Sequence, residues 1–362
     1  MLTIRDVFDS CRRREREGRR VIGAHIGEPS HEPPIPVSGA LRDLGEVGRR
    51  YLPFVGIERT RESVSDFAAR FLGRDLSEER IFLTNGGAQS LLISALAALK
   101  LRKGGLLVPA PGFPQYFDHA VEFGYTVATY DPLSEDLVGE VLGKLYDVSA
   151  VLINYPNNPT GYVAPNSELR DLWAELSRRG VLLINDAAYS QIYFGERVEV
   201  VGDVIADTFS KTFALPGMRV GYIYWGAEKP EVVGRLLYLM TAGVSEVSQL
   251  LITRMIEAAS DNYFARVRSH YAELREEVVR GARESGLIFP EPKGAFYLYA
   301  RHPEVRDSNE LALKLLEWDP VVGIVPAAVF RGGKDFFRIS YGVLKKAEVR
   351  ELFRAIREVI GG

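Results

Sequence analysis

The chain from 150 to 186 holds Ala150-Val151-Leu152-Ile153-Asn154, then the helical pattern Ser167–Arg179, then Val181-Leu182-Leu183-Ile184-Asn185-Asp186. Two short apolar runs without polar alternation read as strands buried on both faces. A helical segment between them is the crossover that parallel strands require. The same grammar extends on either side. Arg80–Thr84, Leu106–Pro109, Tyr125–Tyr130 and Val204–Thr208 read as strands, and Arg61–Leu72 and Gly87–Leu101 as helices. The expectation is an α/β chain whose mainly parallel sheet is covered on both faces, a three-layer α/β/α arrangement. After about Asp261 the texture changes. Tyr263–Ser285 is a long charged amphipathic helix, and Gly294–Ala300, Val321–Val325 and Phe336–Tyr341 read as strands of a smaller α+β domain.

The 362 residues allow two domains, and 46% apolar with 26% charged residues excludes disorder or a coiled coil as a whole-chain reading. Lys+Arg 45 against Asp+Glu 48 gives a net charge of −3, so no global field draws nucleic acid or an anionic membrane. The basic run Arg12–Arg20 lacks the aromatic interleaving of a nucleic-acid surface and reads as a solvated helix face or a lip over a site. One cysteine, Cys11, removes a disulfide framework and a multi-cysteine zinc site. The five histidines are scattered, which gives a metal site or a histidine triad little support. The first twenty residues have no apolar signal core, and runs such as Ile93–Leu99 fall short of the roughly 20 residues of a membrane span. The cytosol is the default compartment, with no membrane and no nucleic acid among the expected partners.

Ligands of parallel sheets bind beyond the strand C-termini, and four polar stretches stand there. Thr84-Asn85-Gly86-Gly87-Ala88-Gln89 is a strand-to-helix turn whose glycines and free helix amides suit an anion, or simply start a helix. Tyr155-Pro156-Asn157-Asn158-Pro159-Thr160-Gly161 is either a tight turn or a loop that lays the Asn158 amide over a ligand. Asp186, in Asn185-Asp186-Ala187-Ala188-Tyr189, is a helix cap or a carboxylate awaiting a cation such as a protonated ring nitrogen. Thr208-Phe209-Ser210-Lys211-Thr212-Phe213-Ala214-Leu215-Pro216-Gly217-Met218-Arg219 sets a lysine between two phenylalanines, where desolvation lowers its pKa. Thr208 and Arg219 suit a phosphate. Ser210-Lys211-Thr212 is no P-loop, because the earlier glycine is missing.

Together these stretches resemble the class I/II aminotransferases of fold type I, which are aspartate aminotransferase-like and use pyridoxal 5′-phosphate (PLP). The resemblance runs from Gly27-Glu28-Pro29 to Phe337-Arg338-Ile339-Ser340-Tyr341. It implies that Lys211 is the Schiff-base lysine and acid–base group, and that Asp186 pairs with the ring nitrogen. Tyr189 and Asn158 are implied at the ring's phenolic oxygen, and Phe113 against the ring face. Gly87, Ala88, Gln89, Thr208 and Arg219 are implied at the phosphate. Arg338 takes the place of the arginine that grips the substrate α-carboxylate, with Gly27 and Asn158 lining the substrate pocket. Tyr51 matches the tyrosine that reaches the cofactor phosphate of a neighbouring subunit, so a homodimer is implied. The large PLP-binding domain is expected at 31–260, and the small domain at 1–30 with 261–362.

The implied reaction moves an amino group from an L-amino acid to a 2-oxo acid, 2-oxoglutarate by preference, in ping-pong fashion. Ala88 stands where some aspartate-using members carry a lysine for the distal carboxylate, which lowers the case for a dicarboxylate unless arginines of the N-terminal segment substitute; a neutral, aromatic or branched donor is the expectation. The chain length is similar to that of histidinol-phosphate aminotransferases, while Phe296-Tyr297-Leu298-Tyr299 after Lys293-Gly294-Ala295 resembles the general amino-acid group. A C–S β-lyase on the same scaffold is the alternative chemistry. A non-catalytic ligand-binding relative is disfavoured by the intact Lys211, Asp186 and Arg338.

Overall fold

The computed structural model describes residues 2–42 and 45–361. Its strands are β1 (Val21–Ile22), β2 (Ile81–Thr84), β3 (Gly105–Pro109), β4 (Val127–Tyr130), β5 (Val148–Asn154) and β6 (Leu182–Asp186). They continue with β7 (Val204–Thr208), β8 (Gly221–Trp225), β9 (Tyr297–Arg301), β10 (Val321–Val322), β11 (Val325–Pro326) and β12 (Phe336–Ser340).

Seven strands form one sheet in the order β2-β8-β7-β6-β5-β3-β4. All neighbours pair in parallel except at β8, which runs antiparallel to both β2 and β7. The apolar runs do cover two faces. Leu106, Val108 and Leu152 pack with Leu91 and Ile93 of the helix Gly87–Leu101. Leu107, Val151 and Ile153 point the other way, onto Leu169, Leu172 and Leu176 of the helix Asn166–Arg178. This is the three-layer α/β architecture.

β8 was not foreseen. Only a short helix, Phe209–Thr212, and one further turn, Pro216–Met218, separate it from β7. That is too little chain for a parallel crossover, so the strand returns antiparallel. Its first residue, Gly221, stands opposite both Thr84 and Thr208 and so brings the two loops beyond those strands side by side. A Cβ at Gly221 would lie 2.5 Å from the Asp207 carbonyl oxygen, so only glycine fits there.

The remaining sheets are small. β11, β12 and β9 form an antiparallel three-stranded sheet, and β1 pairs in parallel with β10. The run expected as one strand over Val321–Val325 is split between β10 and β11. The helix Asp261–Glu284 packs with the helix Lys346–Gly361 through Val278, Ala282, Phe353 and Ile356. The chain's two ends are stitched together. Ser340 N donates to the Ala24 carbonyl at 2.7 Å, and Arg338 Nη2 to the His25 carbonyl at 2.8 Å. No described helix is long and apolar enough to cross a membrane.

Candidate active site

The strand ends converge on a cavity of about 240 Å³. Of the residues singled out from sequence, Gly87, Ala88, Phe113, Asn158, Asp186, Tyr189, Thr208, Lys211 and Arg219 line it. Register explains the convergence, because Asn154 stands opposite Asp186 and Asp186 opposite Ala206 across β5, β6 and β7.

One end of the cavity is a cradle for an anion. The helix Gly87–Leu101 starts there, capped by Gly86 at φ 86°, and its first amides have no partner within the helix. A Cβ on Gly86 would come within 2.5 Å of Arg219 Nη2, so the turn must be glycine for the guanidinium to approach. Arg219 is held by the carbonyls of Pro216 at 2.8 Å and Asn85 at 3.3 Å, with no carboxylate partner among the described residues. Thr208 Oγ1 accepts from the Ser210 amide at 3.2 Å and donates to Ser210 Oγ at 2.9 Å. Ser210 also lines the cavity. It is assigned no role from sequence, although it is a second hydroxyl immediately before the lysine. Gln89 is not in the lining. Its Oε1 accepts from the Asn85 amide at 2.7 Å, since a side chain in the first helical turn can reach back to cap the preceding loop.

At the middle of the cavity Asp186 is fully sequestered. Burial pushes its carboxyl up to about 6, against a hydrogen bond from Tyr116 Oη at 2.6 Å and one from the Ala188 amide at 3.2 Å. No cation pairs with it among the described residues. A buried carboxylate in that state is completed by a cationic ring nitrogen. Phe113 supplies an aromatic wall and meets Tyr116 edge-on, with ring centroids 5.8 Å apart. The positively charged anion cradle, the unpaired carboxylate and the aromatic wall fit a phosphorylated, protonated pyridine such as PLP.

Lys211 follows the capped start of the short helix Phe209–Thr212, and its Nζ donates to the Gly27 carbonyl at 2.6 Å. Burial lowers its pKa to about 8, helped by the positive charges of Arg338 and Arg219 and opposed by Glu28. Arg338 is buried on β12. Its Nη1 donates to Asn158 Oδ1 at 3.0 Å, and its Nε has no partner. Its guanidinium lies between the rings of Tyr297 and Phe330, at 4.7 and 4.8 Å. A buried guanidinium without a carboxylate is costly unless an anion arrives to complete it. Tyr189 Oη lies 2.6 Å from Tyr297 Oη. Tyr116 and Tyr297 do not line the cavity but hydrogen-bond Asp186 and Tyr189, which do, and neither is assigned a role from sequence. Tyr51 does not join the cavity of its own chain. It is fully exposed beside Thr241 and Gly243.

Comparison with known proteins agrees with this geometry. The family model "Aminotransferase class I and II" matches residues 19–356. The chain is 27% identical to the aspartate aminotransferase of Pyrococcus horikoshii, over 99% of this chain and 94% of that protein. It is also 27% identical to the LL-diaminopimelate aminotransferase of Natranaerobius thermophilus, over 94% of this chain and 92% of that protein. The crystal structure of the Thermotoga maritima aspartate aminotransferase superposes with a TM-score of 0.88 at 26% identity, covering 100% of this chain and 98% of that one. The chain therefore belongs to the class I and II aminotransferases and is a PLP-dependent transaminase.

Proposed function

We propose that this aminotransferase takes its amino group from a neutral L-amino acid, aromatic or branched, and delivers it to 2-oxoglutarate. The observation that carries the reading is Arg338, a buried guanidinium with no carboxylate partner, reaching through Asn158 to the cavity that holds Lys211. Its planar fork suits the α-carboxylate common to amino acids and 2-oxo acids. Among the described residues the cations that line the cavity, Arg219 and Lys211, are then engaged by phosphate and by the chemistry, and Arg338 behind Asn158 by the α-carboxylate. Ala88 and Leu91 add no further charge, which favours a donor without a second carboxylate.

When bound, PLP supplies an electrophilic aldehyde and a ring that delocalises the electron pair left on the substrate Cα. Lys211 would hold it covalently, Asp186 at the ring nitrogen, Tyr189 and Asn158 at the phenolic oxygen, and Gly87, Ala88, Thr208, Ser210 and Arg219 at the phosphate. With its pKa near 8, Lys211 is neutral in about a tenth of molecules at pH 7, far more often than a solvated lysine. That neutral Nζ takes the proton from the substrate Cα and carries it. Arg338 fixes the α-carboxylate and so sets which face of Cα the amine meets. Because one site serves donor and acceptor in turn, the kinetics are expected to be ping-pong.

The same reading gives residues 31–260 to cofactor binding, and 1–30 with 261–362 to closing over the substrate. Tyr51 is assigned to the phosphate of a second subunit, which its full exposure supports. A screen of amino donors against 2-oxo acid acceptors tests the substrate reading. Higher kcat/KM for aspartate than for every aromatic or branched donor would overturn it.

A further inference from the structure

The hydroxyls of Tyr189 and Tyr297 lie 2.6 Å apart and buried. Tyr189 follows β6 of the large sheet, whereas Tyr297 opens β9 of the three-stranded sheet, so this bond joins the two. The two ends of the bond differ. Tyr189 lines the cavity, but Tyr297 does not, and the Tyr297 hydroxyl has no other partner among the described residues. One proton occupies the space between the two oxygens. If it came from Tyr189, the proton of Tyr297 would be stranded without an acceptor. If it comes from Tyr297, nothing is stranded, and the Tyr189 proton is turned toward the cavity.

We propose that Tyr297 is a positioning residue for the cofactor: by donating to Tyr189 Oη it aims the Tyr189 proton at the phenolic oxygen of the bound ring. This rests on the assignment of Tyr189 to that oxygen. A hydroxyl that accepts a hydrogen bond becomes a stronger donor, so Tyr297 also sharpens the contact it aims. Its ring supports the Arg338 guanidinium at 4.7 Å. The hydroxyl that orients Tyr189 therefore feels the charge at the α-carboxylate grip, and substrate binding at one end of the site is communicated to the ring at the other.

The test is the visible absorbance of the PLP-loaded enzyme, titrated with pH in the absence of substrate. A donor at the phenolic oxygen withdraws the negative charge that holds the neighbouring proton, so weakening the donor moves the spectral transition to higher pH. Tyr297→Phe is expected to raise the midpoint by roughly half a pH unit, about threefold in the proton equilibrium. Tyr189→Phe is expected to raise it further, and the double variant no further than Tyr189→Phe, because Tyr297 acts through Tyr189.

A Tyr297→Phe midpoint equal to or below the parent's, or additive shifts in the double variant, overturns the proposal. An unshifted Tyr189→Phe overturns instead the assignment of Tyr189 on which it rests. Should Tyr297→Phe fail to take up cofactor, Gly27→Ala decides. Its Cβ would stand 2.9 Å from Tyr297 Oη and displace that hydroxyl, with the same upward shift expected.

Discussion

Tyr116 donates to Asp186 the only side-chain hydrogen bond that this carboxylate receives among the described residues, at 2.6 Å. The bond does not offset burial, and the carboxyl stays near 6, above its ordinary value of 3.8. A carboxyl raised in this way stabilises the folded chain below its unfolded pKa, and that contribution is lost as the pH rises through about 6. Cofactor-free protein is expected to lose on the order of 1–3 kcal/mol from this group between pH 4 and pH 7. Urea unfolding of the parent and Asp186→Asn across that range checks it. Asp207, also raised, to about 7 and mainly by burial, is present in both proteins, and only its smaller repulsion from Asp186 enters the difference between the two profiles. Parallel pH profiles would refute the assignment.

Arg338 is expected to show opposite effects on stability and on function. Replacing a buried guanidinium that has no carboxylate partner by an apolar side chain removes a desolvation penalty of several kcal/mol, larger than the two hydrogen bonds lost to Asn158 and His25. Arg338→Met should therefore raise the melting temperature of the cofactor-free protein while raising KM for the amino donor by roughly a hundredfold or more. Arg338→Lys should recover little, because a point charge cannot replace the fork. Thermal unfolding and steady-state kinetics on both variants decide. A KM unchanged in Arg338→Met would remove this residue from the substrate grip.

Lys211 should be a reactive amine at a pH where other lysines are not. Burial lowers its pKa to about 8, and only the neutral amine is nucleophilic. Labelling of the cofactor-free enzyme with trinitrobenzenesulfonate, mapped by mass spectrometry, should show Lys211 modified with a midpoint near pH 8. Exposed lysines should follow at about 10.4. Lys211→Ala should lose turnover by more than roughly a thousandfold.

Tyr51 is tested by mixing subunits. Tyr51→Ala and Lys211→Ala are each impaired, yet a dimer of one with the other contains one site with both residues intact. Refolding an equal mixture should restore roughly a quarter of the parent activity at limiting PLP. Activity no higher than the mean of the two separate variants would mean that Tyr51 does not serve a partner's site.

The strands at 105–109, 150–154, 182–186 and 204–208 were readable because their faces are both covered, which writes an unbroken apolar run into the sequence. β8 was not, because Gly221-Tyr222-Ile223-Tyr224-Trp225 carries no crossover to announce it, and its direction follows from the short return after Arg219. β1 and β10 are two residues each and exist only as partners across 300 positions, Val21 with Val321. Lys211 and Asp186 stand out in the sequence because each is a charge in an apolar setting, whereas Arg338 is reached only through the resemblance that places it. Tyr116 and Tyr297 do not stand out, since an aromatic residue in an apolar run reads as packing until its hydroxyl is placed.

The stitching of the two chain ends sets an order of assembly. Residues 81–225, which carry the seven-stranded sheet and the cavity lining from Gly87 to Arg219, leave the ribosome as one continuous block that can settle while synthesis proceeds. The guanidinium of Arg338 cannot take its place until residues 338–340 have been made, because Arg338 and Ser340 must meet His25, Ala24 and Ile26, which were made about 300 residues earlier. A nascent chain stalled short of residue 338 would thus hold the groups proposed for the cofactor before it owns the guanidinium proposed for the substrate.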